Sequence, residues 1–249
     1  AGNMVDNAEF GGPDAPGFLY GAESTSSMGN IAGSSAVSSL VMNATQSFTE
    51  RKSASTYNSK EVTNISSTLK AGEAINLSSS GDTTVKGSDV NAGGDINLTS
   101  GGELNIISTE NSSSNSQSTK KSSFLGNTTK TSDDLSNVTQ LSSNIISGGD
   151  VSLNALTDIN IEASNIEGNN GSIVSEVSDI NIKNGINSVK SYSTASDKGF
   201  LSRTSDKAYG YDETAASSNL SFNGNLNVEA ELGAVNIQSS NLDVANDLT

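Results

Sequence analysis

The sequence repeats itself with a 76-residue interval, and this repetition constrains its fold more than any other feature. Three phenylalanines inside Ser/Thr/Lys-rich stretches share the interval: Phe48, Phe124 and Phe200. Apolar positions recur in the same way, as at Val85, Ile161 and Ile237. Self-similarity of this kind is typical of repeat proteins, in which each unit buries its apolar face only by stacking on its neighbours.

The interval predicts three blocks and a separate lead-in. We place the blocks at residues 28–103, 104–179 and 180–249, the last one truncated. Counted from Val151, Leu226 falls one position short of the interval, so the last copy carries a one-residue deletion. Residues 1–27 hold both prolines and lack the pattern of the blocks, and we interpret them as an irregular Gly- and Pro-containing lead-in.

Within a block, short strands follow Gly and an acid or amide. Gly94-Asp95-Ile96-Asn97-Leu98 is one example and Gly149-Asp150-Val151-Ser152-Leu153 is another. Apolar residues at alternate positions predict strands with one buried face, and the Gly-containing pieces predict turns. Strands so short cannot form stable hairpins alone. We therefore predict an all-β fold, a parallel β-helix in which successive turns stack as parallel neighbours, with Asn and Ser ladders at the bends.

The same spacing predicts an elongated rod. With ~20 residues per turn the chain would make about a dozen turns, and stacking at ~4.8 Å per turn gives about 60 Å. Such a coil has a thin core, which suits a composition of 33% hydrophobic and 4% aromatic residues.

Composition also excludes several kinds of chemistry. The chain has no Cys and no His, which removes thiol and imidazole catalysis and the usual zinc ligands. The acids before strands, such as Asp95, Asp150, Asp158 and Asp179, are expected to cap local turn amides. We predict no enzyme activity, no cofactor and no metal site, with weak surface calcium binding left open. The formal charge of −15 disfavours nucleic acid as a partner, and no apolar run is long enough to span a membrane.

Each block contains a stretch that breaks the alternation, and these stretches hold most of the Lys and Arg. Two of them cover residues 108–143 and 187–218, and they are either excursions from the coil or less regular turns of it. A solvated polar face is the simpler interpretation. The functional interpretation is a ligand-binding surface, with these candidate residues: Phe48, Phe124, Phe200, Arg51 and Arg203. Arg51 aligns with Arg203 at twice the 76-residue interval.

Two kinds of motif resemble the haemagglutinin repeats of filamentous-haemagglutinin-type exoproteins. The strand motifs at residues 92–106 and 148–155 resemble one repeat class, and the stretches around Phe124-Leu125-Gly126 and Lys198-Gly199-Phe200-Leu201 resemble a second class. The likeness covers about residues 28–249. It implies a right-handed parallel β-helix within a long protein that a Gram-negative bacterium exports by two-partner secretion.

The resemblance also implies partners and a location. An outer-membrane transporter would export the chain, and a receptor on a target cell is a further candidate partner. The expected location is secreted or on the cell surface. Members act as adhesins or as filaments of contact-dependent growth-inhibition systems, so the leading hypothesis is a non-enzymatic rod that presents an adhesin or delivers a toxin. A ligand-binding adhesive module is the alternative, and a polysaccharide-cleaving β-helix enzyme ranks last.

Overall fold

The computed structural model describes residues 51–123 and 126–249. The predicted lead-in over 1–27 and the first part of the first block lie outside the described residues. The described chain folds into 21 strands, and none of its elements is a helix long and apolar enough to cross a membrane.

Sixteen short strands build a coil with three parallel sheets, which confirms the predicted all-β solenoid. The first sheet contains β2 (Thr68–Ala71), β5 (Asp89–Ala92), β10 (Asn144–Ser147), β13 (Asn165–Gly168), β18 (Asn219–Phe222) and β21 (Asn241–Val244). The second contains β3 (Ile75–Ser79), β6 (Ile96–Ser100), β11 (Val151–Ala155), β14 (Gly171–Ser175) and β19 (Leu226–Ala230). The third contains β4 (Thr83–Lys86), β7 (Leu104–Ile107), β12 (Ile159–Glu162), β15 (Ile180–Lys183) and β20 (Val235–Gln238).

Successive turns of the coil are separated by two alternating distances along the chain. Asp89 pairs with Asn144, 55 residues later, whereas Asn144 pairs with Asn165, 21 residues later. The 76-residue interval is therefore one short step and one long step, that is, two turns of the coil. The described chain forms five complete turns and the start of a sixth. The prediction of ~20 residues in every turn, from which a dozen turns followed, was wrong because the long step includes residues that leave the coil.

Inside the coil, apolar side chains stack in continuous columns. Ile75, Ile96 and Val151 belong to one column, and Leu104, Ile159 and Ile180 belong to another; all are at most 5% exposed. Burial of one such side chain contributes about 1.5–3 kcal/mol. Each turn thus needs only a few apolar residues, because the turns on either side cover them.

One aromatic ring stands in this core, and two glycines make room for it. A Cβ on Gly171 would approach Phe222 Cζ to 2.6 Å, and one on Gly168 would lie 3.4 Å from Phe222 Cε1. Phe222 is 2% exposed. The ring therefore occupies the space that side chains would fill in the preceding turn.

Polar ladders run along the outside of the coil. In the third sheet, Asn amides donate to the Asn of the preceding turn, as from Asn160 to Asn105 at 2.9 Å and from Asn181 to Asn160 at 3.1 Å. A second ladder runs through the first residues of the first-sheet strands from β5 onward and includes the bond from Asn165 to Asn144 at 2.8 Å. These ladders occupy strand positions, and the predicted ladder at a bend is also present, where the Asn170 side chain accepts the backbone N–H of Asn225 at 2.9 Å.

The acids before the strands also bond between turns, not within them. The Asp95 carboxylate accepts the backbone N–H of Asp150 at 2.9 Å, and the Asp179 carboxylate accepts that of Ala234 at 2.8 Å. The expectation of local turn capping was wrong, because the adjacent turn brings its amide closer. A Cβ on Gly149 would overlap the Asp95 carboxylate, so the Gly before the acid allows this approach.

The remaining five strands form a separate antiparallel sheet, here called the hairpin sheet. Its members, in spatial order, are β1 (Arg51–Val62), β8 (Thr109–Ser123), β9 (Thr128–Leu141), β16 (Gly185–Lys198) and β17 (Arg203–Ala216). The strands β8 and β9 form one hairpin, and β16 and β17 form another. The stretches that break the alternation are therefore excursions from the coil, and they are ordered strands.

Both hairpins leave the coil at the same corner, between the third sheet and the first. The other turns pass this corner tightly, through residues with positive φ at Gly87 (51°), Ala163 (46°) and Ser239 (46°). The returning chain is held at Ser143 and Ser218, which are fully buried and donate to the carbonyls of Ile107 and Lys183 at 2.7 Å.

Candidate functional site

The hairpin sheet is the part of the described chain where side chains are presented on both faces of a single layer. Its strands contact each other extensively, and no pairing joins them to the three sheets of the coil in the described ranges. Most of its side chains are exposed or half-buried. Because cross-strand partners share a face, the register of the sheet sorts its residues into two surfaces.

One surface carries most of the positive charge of the protein, and we name it the basic face. Eight of the thirteen Lys and Arg residues belong to its rows: Lys52, Lys60, Lys120, Lys130, Lys190, Lys198, Arg203 and Lys207. Three carboxylates share it: Glu110, Asp134 and Glu213. The formal charge of this face is therefore positive in a chain whose net charge is −15.

The opposite surface is acidic, and we name it the acidic face. Its rows contain five carboxylates: Glu61, Asp133, Asp197, Asp206 and Asp212. Lys121 and the position of Arg51 belong to the same rows. The two faces of the hairpin sheet therefore carry opposite net charge, which the net charge of the whole chain does not reveal.

On the basic face, the cations are concentrated toward the hairpin turns. Lys120 is paired directly with Lys130, and Lys198 is paired directly with Arg203. Lys207 lies on the same face, two residues beyond Ser205 in β17. Like charges directly opposite each other destabilise a sheet. This register therefore includes electrostatic repulsion between cations, which neutral residues at these positions would not produce.

Three tyrosines lie beside these cations on the same face. The rings of Tyr192 and Tyr209 have centroids 4.7 Å apart with an interplanar angle of 36°, and Lys190 Nζ lies 5.1 Å from the ring centroid of Tyr211. Tyr209 is 74% exposed and Tyr211 59% exposed. The Tyr211 hydroxyl donates to the Glu213 carboxylate. We name the concavity that they line the tyrosine groove.

The tyrosine groove is open and has a volume of about 570 Å³. Asp134 and Ser114 also line it, beside the three tyrosines and Lys190. Aromatic faces, a cation, a carboxylate and hydroxyl groups thus converge on one surface. Such a surface can stack on a flat ring and donate and accept hydrogen bonds around it.

The surroundings of Tyr192 raise the pKa of its phenol above the usual value. The main cause is the hydrogen bond with the side chain of Tyr209, and desolvation and the negative charge of Asp134 act in the same direction. This shift favours the neutral phenol, which presents a hydroxyl rather than a phenolate to the groove.

A smaller groove of about 270 Å³ lies mainly on the acidic face. The Tyr57 hydroxyl donates to Asn115 at 2.6 Å, and the Ser193 hydroxyl donates to Asp133 at 2.7 Å. These side chains satisfy one another, so the smaller groove offers fewer groups to a ligand than the tyrosine groove.

Only some of the predicted site residues belong to the part of the chain that the structure describes. Phe48 and Phe124 lie outside the described residues. Phe200 lies in the turn between β16 and β17 and is 87% exposed, as is Leu201 at 92%. Arg203 begins β17 and pairs with Lys198, while the backbone of Arg51 begins β1 and pairs with Ser123. A binding role for these residues stays a prediction.

The alignment of Arg51 with Arg203 is wrong by one residue. In the hairpins, Thr128 pairs with Ser122, and Arg203 pairs with Lys198. Arg203 is thus the counterpart of Thr128 in the preceding hairpin, and not of Asn127. The one-residue deletion lies in the hairpin turn, where it changes no strand.

The tyrosine groove was missed at the sequence level, although a signal for it exists. The counterparts of Tyr192, Tyr209 and Tyr211 in the preceding hairpin are Ser116, Asp134 and Ser136, so the third block replaces small polar residues with aromatic ones. Comparison of the stretches position by position would have shown this change. It would not have shown that the three rings share a face, because that depends on how the strands pair, which the order of residues along the chain does not show.

In the described ranges, no three His, Cys, Asp or Glu residues are grouped so that they could hold a metal ion. Carboxylates of the coil are instead engaged by amides of adjacent turns, as at Asp95 and Asp179.

Comparison with known proteins gives one family. A model described as hemagglutinin repeat matches residues 21–123 and again residues 125–210, so it covers more than half of the chain. The first match ends with strand β8, and the second ends within strand β17. No curated protein and no solved structure matches the chain.

Proposed function

The chain belongs to the hemagglutinin repeat family, and on that premise we propose that it is a non-enzymatic segment of an extracellular bacterial filament. Repeats of this family are generally structural, and proteins that contain them are typically secreted bacterial exoproteins. The segment acts as a rod that presents or delivers an adhesin or toxin activity located elsewhere in a longer protein. An outer-membrane transporter of a two-partner secretion system exports it from a Gram-negative cell.

One observation supports the rod most strongly: the coil is built from repeated units of two turns. Polar and apolar columns continue from turn to turn, and the block at residues 104–179 adds two turns and one hairpin in register with the turns beside it. Such a coil can lengthen by whole blocks without a change in its core. This supports the proposed boundaries of the blocks at residues 104–179 and 180–249.

The test displays the chain on a Gram-negative cell, between a secretion domain with its transporter and an epitope tag after Thr249. Antibody labelling of intact cells measures the surface-exposed tag. Deletion of residues 104–179 joins Glu103 to Ile180, which is the counterpart of Leu104, so we expect unchanged display. Deletion of residues 104–168 puts β14, a strand of the second sheet, where a strand of the third belongs, and we expect the tag to be lost. Equal loss in both variants would contradict a rod of interchangeable blocks.

A second candidate function, an adhesive module, is favoured by the tyrosine groove on an exposed sheet. Aromatic residues and Arg or Lys on an accessible surface are typical of recognition sites. The hairpin sheet, with its Ser/Thr/Lys-rich strands, would then bind a receptor on a target cell while the coil holds it in place.

Flow cytometry of bacterial and host cells with labelled protein tests this second function. We expect saturable binding that falls in a variant with Tyr192→Ser and Tyr209→Ser, and the predicted site is tested with Phe48, Phe124 and Phe200 replaced together by Ala. A Tyr57→Ser variant on the acidic face is the matched control. Absence of binding to every cell type tested would leave the rod as the sole function.

A further inference from the structure

We propose that the basic face of the hairpin sheet binds an anionic polysaccharide, with the cations contacting its acidic groups and the tyrosine groove receiving a sugar ring. This inference rests on the adhesive function proposed above and names its ligand class. Three independent observations support it: the separation of charge, the like-charge pairs and the placement of the aromatic residues.

Charge separation is the first observation. The chain is acidic overall, and yet eight of its thirteen cations share one face of one sheet. If the charges of the sheet served only solubility, positive and negative side chains mixed on both faces would serve equally well. The positive electrostatic potential of such a face attracts a polyanion, whereas the acidic face behind it repels one.

The like-charge pairs are the second observation. Lys120 faces Lys130, and Lys198 faces Arg203, as direct cross-strand neighbours. No carboxylate is the direct cross-strand partner of these four cations in the described register. Their mutual repulsion costs stability, and an anionic group placed between them would remove that cost.

The placement of the aromatic residues is the third observation, and it distinguishes a saccharide from other polyanions. Tyr192 and Tyr209 lie on the same face as the cations, and their row of the sheet neighbours the row of Lys190 and Tyr211. Tyrosine rings present an apolar surface with a polar edge, which suits a sugar ring with its C–H face and hydroxyl rim. The hydroxyl groups of both tyrosines can donate and accept hydrogen bonds at that rim.

A lipid surface is the competing ligand, because the exposed Phe200 and Leu201 at the hairpin turn could insert into one. The tyrosine groove does not lie at that turn, and it offers Asp134 and hydroxyl groups, which an acyl chain cannot use. An anionic polysaccharide therefore accounts for more features of this surface than a lipid does.

The experiment measures binding of the full chain to fluorescent dextran sulfate by fluorescence anisotropy at low and physiological salt. Neutral dextran of the same length, inorganic polyphosphate and vesicles of phosphatidylcholine with phosphatidylglycerol are the comparison probes. We expect saturable binding to dextran sulfate that weakens with salt, and weak or no binding to neutral dextran.

Neighbouring lysines provide the matched variants. Lys120 and Lys121 are adjacent in β8 but point to opposite faces, so Lys120→Gln should weaken binding about two- to fivefold and Lys121→Gln should leave it nearly unchanged. The double variant Tyr192→Ser and Tyr209→Ser should weaken dextran sulfate binding about two- to tenfold and leave polyphosphate binding unchanged. Circular dichroism checks that each variant is folded.

Several outcomes would overturn the proposal. Equal loss in Lys120→Gln and Lys121→Gln would show attraction to the chain without a specific face. Unchanged binding in the tyrosine variant would show a polyanion site without a sugar site. Vesicle binding that depends on Phe200 and Leu201, without dextran sulfate binding, would assign the surface to lipid. Saturable cell binding without any polyanion binding would leave the adhesive function standing and remove this ligand class alone.

Discussion

Residues that meet at the corners of the coil are matched in size. Gly87 lies against Thr109, and a Cβ on Gly87 would overlap the Thr109 side chain. At the corresponding corner the sizes are exchanged: Ala163 lies against Gly185, where an added Cβ would be only 3.0 Å from that of Ala163. Each of these two corners thus contains one glycine, because the tight corner and the hairpin that starts in the next turn leave room for one side chain.

This matching predicts a rescue. Gly87→Ala should lower the free energy of unfolding by about 1–3 kcal/mol through overlap with Thr109. Adding Thr109→Gly should recover most of that loss, although the cost of Ala at positive φ remains. Urea unfolding, monitored by circular dichroism, measures the free energy of unfolding of both variants. Gly72→Ala, where a Cβ meets open space, is the control; a double variant no more stable than Gly87→Ala would contradict the matching.

The tyrosine groove permits a second prediction at this scale. Tyr209→Phe removes the hydroxyl that is the main cause of the raised pKa of Tyr192 but keeps the ring, so the pKa of Tyr192 should fall toward ~10. Spectrophotometric titration of phenolate absorbance follows this change. Tyr57→Phe should leave that titration step in place. A step unaffected by Tyr209→Phe would show that another group governs Tyr192.

At the scale of elements, the coil and the hairpin sheet share one spacing. Each block adds two turns to the coil and two strands to the hairpin sheet, and both stack at ~4.8 Å. The hairpins of successive blocks therefore meet without a gap, and β1 pairs with β8 just as β9 pairs with β16. This match explains why hairpins leave the coil at every second turn.

The shared spacing predicts what an extra turn would do. Duplication of residues 144–164 should separate the two hairpins by three turns, which two strands cannot span, so β9 and β16 should lose their pairing while the coil is retained. Hydrogen exchange of backbone amides measures the loss of protection in these strands. Duplication of residues 104–179, a whole block, should preserve it. Protected β9 and β16 amides after the shorter duplication would contradict the match.

At the scale of the whole molecule, the last described turn leaves its column residues uncovered. Val235 is 41% exposed and Ile237 is 50% exposed, whereas their neighbours Ile180 and Ile182 in the preceding turn are fully buried. Within the described chain, the strand β20 has a neighbour on one side only. An uncovered strand with apolar residues favours addition of another strand.

We therefore expect the 249-residue protein to associate end to end as its concentration rises. Sedimentation velocity over a concentration series measures the association. A variant with Val235→Lys and Ile237→Lys should associate less, while Lys substitutions at the exposed positions Gln238 and Asn236 serve as the matched control. A protein that stays strictly monomeric at high concentration would contradict the expectation.

The sequence by itself determined the parallel coil, because alternating apolar residues after glycine, repeated at a fixed interval, bury their side chains only by stacking. It also located the stretches that leave the coil, since polar runs such as residues 108–143 cannot supply a core column. Handedness stays a prediction from the resemblance.

Tertiary structure alone decided how the 76-residue interval divides into a short and a long step, because only strand pairing shows which residues are neighbours. It also decided the basic face and the tyrosine groove. A strand alternates its side chains between two faces, and a polar strand has no buried side to reveal its register. The neighbours of Tyr192 and Lys120 were therefore set by the pairing of hairpins, which the order of residues along the chain does not show.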